Sequence, residues 1–196
     1  MHDDGVVSGS LPEFVALWFG SSNEGLEPRA MVEPLLSFNA VPSEPWRDGE
    51  VEVLVVENQG VWLWGRRPDG RFVERENEPD ASWRDIEEDG EAFWLHHAGF
   101  EAVWALPAHR SAQEFGTDAV RRLEELTSSL PCAEWSWPGT RQRIRVRDRT
   151  VLMICAVEQA HWVVASAPSE ADLGWLDALD LRWDEQDSRV PTRNGG

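Results

Sequence analysis

Residues 50–65 read EVEVLVVENQGVWLWG, and Val51, Val53 and Val55 alternate there with Glu52, Leu54 and Val56. A β-branched run with a period of two predicts a strand. The second side of the alternation is also mostly apolar, so the strand is expected to be covered on both faces. Glu57, Asn58, Gln59 and Gly60 interrupt the run as a turn, because Gly60 accepts positive φ and Asn58 tolerates it better than most residues. A second apolar run over residues 61–64 (VWLW) completes a predicted central β-hairpin.

On either side of this hairpin the periodicity changes. Ser10, Leu11, Pro12 and Glu13 have capping-box spacing, and Phe14, Leu17 and Trp18 fall on one helical face that Gly20 ends. Pro28, Pro34, Pro42 and Pro45 break residues 21–49 into loops and short turns. Residues 66–70 (RRPDG) predict a turn, and residues 71–74 a short strand. Phe93, His97, Phe100 and Trp104, with Trp94 and Val103 beside them, give helical spacing over residues 91–106, stopped by Pro107. Ser111 to Glu114 (SAQE) has capping-box spacing again. With Phe115, Val120, Leu123 and Leu126 it predicts a helix to about residue 128, whose first turn Gly116 weakens.

The later part of the chain returns to strands. Arg141, Arg143, Arg145, Arg147 and Arg149 alternate with Gln142, Ile144, Val146 and Asp148 as an arginine stripe. Residues 151–157 and 161–165 flank a second hairpin turn. Ser169 is placed to cap a last helix carrying Leu173, Leu176 and Leu179. The expected fold is α+β: a single domain over residues 11–183, with a mainly antiparallel sheet built on the two hairpins and helices packed on it. Residues 1–10 and 184–196 are expected to be disordered ends.

Charge narrows the functional classes. The net charge is −18, and none of the 18 basic residues is Lys. The first hundred residues hold 21 acids against 7 arginines, a net −14 against −4 for the remainder. Such a field repels nucleic acid and anionic membranes and makes a basic protein the natural partner. Nine acids fall between Glu74 and Glu91, around the single aromatic residue Trp83. This run reads either as a solvated loop or as a binding surface formed by Glu76, Glu78, Asp80, Trp83, Asp85, Glu87, Glu88 and Asp89. His2, Asp3 and Asp4 follow Met1 without a basic region or a long apolar run, which argues against an ordinary signal peptide and for the cytoplasm.

Candidate chemistry is sparse. His96 and His97 are adjacent and diverge by about 100° on a helix. HExxH is absent, and Cys132 and Cys155 form no CxxC and lie far from both histidines in sequence. No metal, cofactor or catalytic residue is therefore expected. There is no nucleophile elbow and no glycine-rich phosphate loop. The 12 tryptophans are core or interface anchors. Trp46, Trp62, Trp64, Trp83 and Trp94 read as buried under a helix or, alternatively, as a sugar-stacking platform. Glu57, Asn58 and Gln59 either serve the turn, Asn58 satisfying its backbone, or form a recognition edge.

An LPEF helix start at residue 11, the ENQGVWLWG hairpin at 57–65, PDASW at 79–83 and EAFWLHHAGFEAVWAL at 91–106 occur in that order. Together they resemble the SUKH superfamily, the immunity-protein-like members of the cell-wall-assembly-regulator-related family. The resemblance covers residues 11–106 and, more loosely, the later strands and helix. It implies a SUKH-like fold, a fold-serving role for the motif residues Glu57, Asn58, Gln59, Gly60, Trp62 and Trp64, and a non-catalytic cytoplasmic protein that neutralises a cognate toxin. An intracellular regulatory scaffold or adaptor without a toxin partner is the alternative.

Overall fold

The structure is a computed structural model that describes residues 10–20, 25–179 and 181–184. In α1 (Leu11–Phe19) the buried residues are Leu11, Phe14, Val15 and Trp18, spaced i, i+3, i+4, i+7, while Leu17 faces outward. The buried stripe is thus rotated by one position from the expected Phe14, Leu17, Trp18 face. Gly20 ends the helix in the left-handed region. The proline-rich stretch that follows holds α2 (Pro28–Val32) and a single 3-10 turn, Glu33–Leu35.

Five short strands then form an antiparallel meander: β1 (Trp46–Asp48), β2 (Val51–Val56), β3 (Trp62–Arg66), β4 (Phe72–Glu76) and β5 (Arg84–Ile86), in that spatial order. The β2–β3 hairpin forms as its alternation predicts, with Gly60 at φ 73° in the turn. Its register shifts between Val53 and Val55. Gly65 lies beside that shift, where a Cβ would stand 2.5 Å from Val51 Cγ1 and 2.7 Å from the Glu52 carbonyl oxygen.

The second sheet has the order β6-β10-β9-β8-β7, built from β6 (Ala108–Phe115), β7 (Ser128–Ser129), β8 (Thr140–Arg147), β9 (Thr150–Val157) and β10 (Ala160–Ala167). The two predicted hairpins therefore belong to different sheets rather than to one. A second correction concerns residues 111–114. They lie in β6, and the helix α4 (Thr117–Glu125) begins only after Gly116. Ala108, Ala112 and Phe115 bury along β6, and pairing with β10 decides against the capping pattern.

Between the sheets runs α3 (Gly90–Ala105), buried at every position from Phe93 to Val103. One apolar cluster joins α1, α2, α3, the inner face of the first sheet (Leu54, Val55, Trp62, Trp64, Phe72) and the facing side of the second (Ile144, Val146, Met153, Val164). A second cluster lies on the far face of the second sheet. There Leu152, Ile154, Val163 and Ala165 meet Val120 and Leu123 of α4, Leu173 of α5 (Glu170–Leu173), and Leu176. Strand β9 is thus apolar on both faces. The described residues thus form one α+β domain of two five-stranded antiparallel sheets and five α-helices.

The arginine stripe faces the α4 side. Arg143 donates to Glu124 at 2.9 and 2.6 Å, Arg145 donates to Thr127 Oγ1 at 2.7 Å, and Arg147 lies 4.6 Å over the Trp175 ring. The expected disordered ends lie outside the described residues, apart from Ser10 and Asp184. The Asp184 N–H donates to the Ser111 carbonyl, alongside β6. Among the described residues no helix is long and apolar enough to cross a membrane.

Trp64 is fully enclosed against Trp135 and His97. Trp64→Ala is expected to cost about 3–5 kcal/mol in urea unfolding. A cost below about 1 kcal/mol, the scale of an ordinary surface change, would contradict the central place of this hairpin.

Candidate partner-binding surface

The β2–β3 turn and the β4–β5 loop lie at the same end of the first sheet and touch. Asn77 donates from its backbone N–H to the Val61 carbonyl at 2.8 Å and from Nδ2 to the Gly60 carbonyl at 2.7 Å. The turn and the acidic loop, which sequence presents as separate candidates, are therefore one surface. Its exposed side chains are Asn58, Gln59, Val61, Glu76, Asn77, Glu78 and Asp80. Glu76, Glu78 and Asp80 carry no ion pair among the described residues, as is also true of exposed acids such as Glu27, Glu44 and Glu87, and here three such carboxylates share one short loop.

Buried groups beneath the loop fix its shape. The Arg75 guanidinium, almost fully covered, donates to the carbonyls of Glu76 and Glu78, each at 2.8 Å. It also pairs with Asp48 at 3.0 Å and lies 5.1 Å from the Trp83 ring centre. Trp83 Nε1 donates to the same Asp48 carboxylate at 2.8 Å. A guanidinium presents several donors in one plane, so one residue can hold two loop carbonyls and a carboxylate together. Glu57, buried, accepts from Gln59 N–H at 2.8 Å. Turn satisfaction thus falls to Glu57, while Asn58, expected to do this work, is exposed.

The remaining residues of the predicted acidic surface are dispersed. Ile86 pairs with Phe72, which puts the exposed Glu87 at the opposite end of the sheet from Glu76. Asp85 is engaged by Arg67 at 3.1 Å and by Arg71. Asp89 caps α3 by accepting from Ala92 N–H at 2.9 Å. Trp83 is half-buried under Arg75 rather than presented as an anchor. Glu88 is the clearest departure from expectation, with its side chain fully enclosed.

Glu88 belongs to a polar centre between the sheets. Its carboxylate accepts from Ala133 N–H at 2.9 Å and Trp135 Nε1 at 3.0 Å, and lies 2.9 Å from His96 Nδ1. His96 Nε2 is 2.6 Å from Gln142 Oε1, and the ring stacks on Trp135 at 3.6 Å. Glu74, facing the same centre, accepts from Trp62 Nε1 at 3.2 Å and from Ser136 N–H at 3.0 Å. Burial raises its pKa, and the Ser136 and Trp62 donors oppose that rise. Trp62 and Trp64 are both buried, which removes the sugar-stacking platform and places these motif residues in the core.

Sequence reading missed Arg75, Glu101, Trp135, Gln142 and the approach of Cys132 to Glu88 and His96. The one local signal was an acid inside an apolar helical run at Glu101; the others depend on contacts between distant segments. No family model matches the chain, and no curated protein or solved structure matches it either.

His97 is enclosed by Trp64, Phe93 and Trp135, with ring centroids 5.1, 4.7 and 4.6 Å away, and neither ring nitrogen has a hydrogen-bond partner among the described residues. Burial, with a smaller contribution from His96, holds its pKa well below the usual histidine value. Only the unfolded chain then takes up this proton, so its contribution to stability is complete above about pH 6.5 and is lost as pH falls below it, by about 1.4 kcal/mol per pH unit. Urea midpoints of the native chain and of His97→Phe are expected to diverge below that pH, the native chain losing more. Parallel pH profiles would contradict the assignment.

Proposed function

We propose that this is a non-catalytic binding protein that holds a basic protein partner through the acidic end of its first sheet. The observation that carries the reading is the group Glu76, Glu78 and Asp80: exposed, without ion pairs among the described residues, and mounted on a loop fixed by buried Arg75. Three carboxylates held on a set frame lose little entropy on binding and attract a cationic surface from a distance. Val61, exposed beside them, and the amides of Asn58 and Gln59 add apolar and hydrogen-bonding contact.

The resemblance to SUKH immunity proteins gives this partner a class, a toxin domain, and gives the complex a place, the cytoplasm. Toxin domains that act on nucleic acid carry basic clefts, and a rigid acidic edge is complementary to one. Neither nucleic acid nor an anionic membrane suits a chain with a net charge of −18.

The partner is to be recovered by co-purification from the native host, and its association rate measured against ionic strength. The triple variant Glu76→Gln, Glu78→Gln, Asp80→Asn is expected to slow association roughly tenfold at low salt and to flatten the salt dependence. Glu87→Gln, at the far end of the sheet, is expected to change neither. A triple variant with the native rate and native salt dependence would refute the assignment. A basic partner lacking any toxic activity would favour the regulatory scaffold instead.

A further inference from the structure

Away from the acidic edge, three metal-ligating side chains of different kinds converge between the sheets. A carboxylate oxygen of Glu88, a ring nitrogen of His96 and Cys132 Sγ all lie within 4.8 Å of one another, and His96 Nδ1 is 2.9 Å from Glu88 Oε1. They come from the segment before α3, from α3 itself and from the segment leading to β8, with 35 residues of chain between the second and third ligands.

We propose that Glu88, His96 and Cys132 form a structural zinc site that fastens the start of α3 to the segment entering the second sheet. This is independent of the partner-binding reading. Thiolate, imidazole and carboxylate together suit zinc, whose borderline softness accepts all three.

His96 and Glu88 are already oriented by second groups, as metal ligands require. Gln142 Oε1, 2.6 Å from His96 Nε2, calls for a hydrogen on Nε2 and leaves the Nδ1 lone pair facing the site. The Trp135 ring, stacked at 3.6 Å, fixes the imidazole plane. Ala133 N–H and Trp135 Nε1 hold the two oxygens of Glu88. Cys132 Sγ donates to the Ala92 carbonyl at 3.5 Å as the thiol, a bond given up when the thiolate takes the metal.

With the hydrogen on Nε2, two electron-rich atoms face each other at 2.9 Å, Glu88 Oε1 and His96 Nδ1. A positive centre must lie between or beside them. Zinc bonded to both at its usual distances would see them at an angle of roughly 90°, within the reach of a distorted tetrahedron. A proton on Nδ1, with the Gln142 amide turned round, meets the same need without the thiol. Recruitment of Cys132, whose proton passes to solvent on binding, therefore distinguishes zinc from a proton. Ala92 and Pro131, the latter next to Cys132 in sequence, help to line a surface cleft of about 310 Å³.

The test uses the full chain, stripped with chelator and re-equilibrated with zinc or cobalt(II). About one zinc per chain is expected to survive gel filtration and to raise the thermal midpoint. Cobalt(II) is expected to give a thiolate-to-metal charge-transfer band. Cys132→Ser is expected to lose the band and the stabilisation and to bind zinc roughly tenfold more weakly or worse. No retained zinc, no charge-transfer band, or equal zinc retention by Cys132→Ser would each overturn the proposal. If Cys132→Ser does not fold, the cobalt spectrum of the native chain still decides, because surface carboxylates give no such band.

Discussion

Four donors converge on the carboxylate of Glu101, a fully buried side chain on α3. The N–H groups of Ser37, Phe38 and Asn39 donate at 2.7, 2.8 and 2.8 Å, and the Ser37 hydroxyl at 3.1 Å. A buried acid is costly unless its oxygens are met, and three successive backbone N–H groups are costly unless they find acceptors. Here each need satisfies the other. The segment so fixed leads into Ala40, which exchanges two hydrogen bonds with Val56 of β2, at 2.9 and 2.8 Å. Through one carboxylate, the central helix therefore positions the segment that completes the edge of the first sheet.

The same device recurs. Glu57 closes the hairpin turn, the segment before β8 gives Glu74 a backbone donor and Glu88 a tryptophan and a backbone donor, and Glu91 accepts from Leu11 N–H at the start of α1. Much of the acidity of the first hundred residues is thus internal wiring between segments. Only about half of the exposed acids pair with arginine, so what marks the group at the end of the first sheet is that three unpaired carboxylates are mounted together on a loop held by Arg75. Total charge alone could not have separated fastening acids from presenting ones.

Legibility in the sequence followed the range of the interactions. Alternation in residues 51–56 and a glycine at position 60 specify a hairpin locally, and that hairpin formed. The pairing of β6 with β10 joins residues some 50 apart, so a four-residue capping pattern at 111–114 outweighed it on paper and lost to it in the fold. Helix α3 was legible as a helix, but its burial on all sides left no polar face to show which neighbours it meets. Glu88 sat in a run that looked solvated because its donors, Ala133 and Trp135, lie more than 40 residues away. The acidic loop and the hairpin turn were both singled out; their union required Asn77, which nothing in the local pattern marks.

Native-state hydrogen exchange at Ser37, Phe38 and Asn39 tests the central claim, that buried carboxylates fasten this fold, most directly. These amides lie in a loop outside any strand or helix, so protection there has one source. The account predicts that they exchange as slowly as the amides of β9, and that Glu101→Gln accelerates them selectively while β9 stays protected. Exchange in the native chain at the rate of an open loop would contradict it.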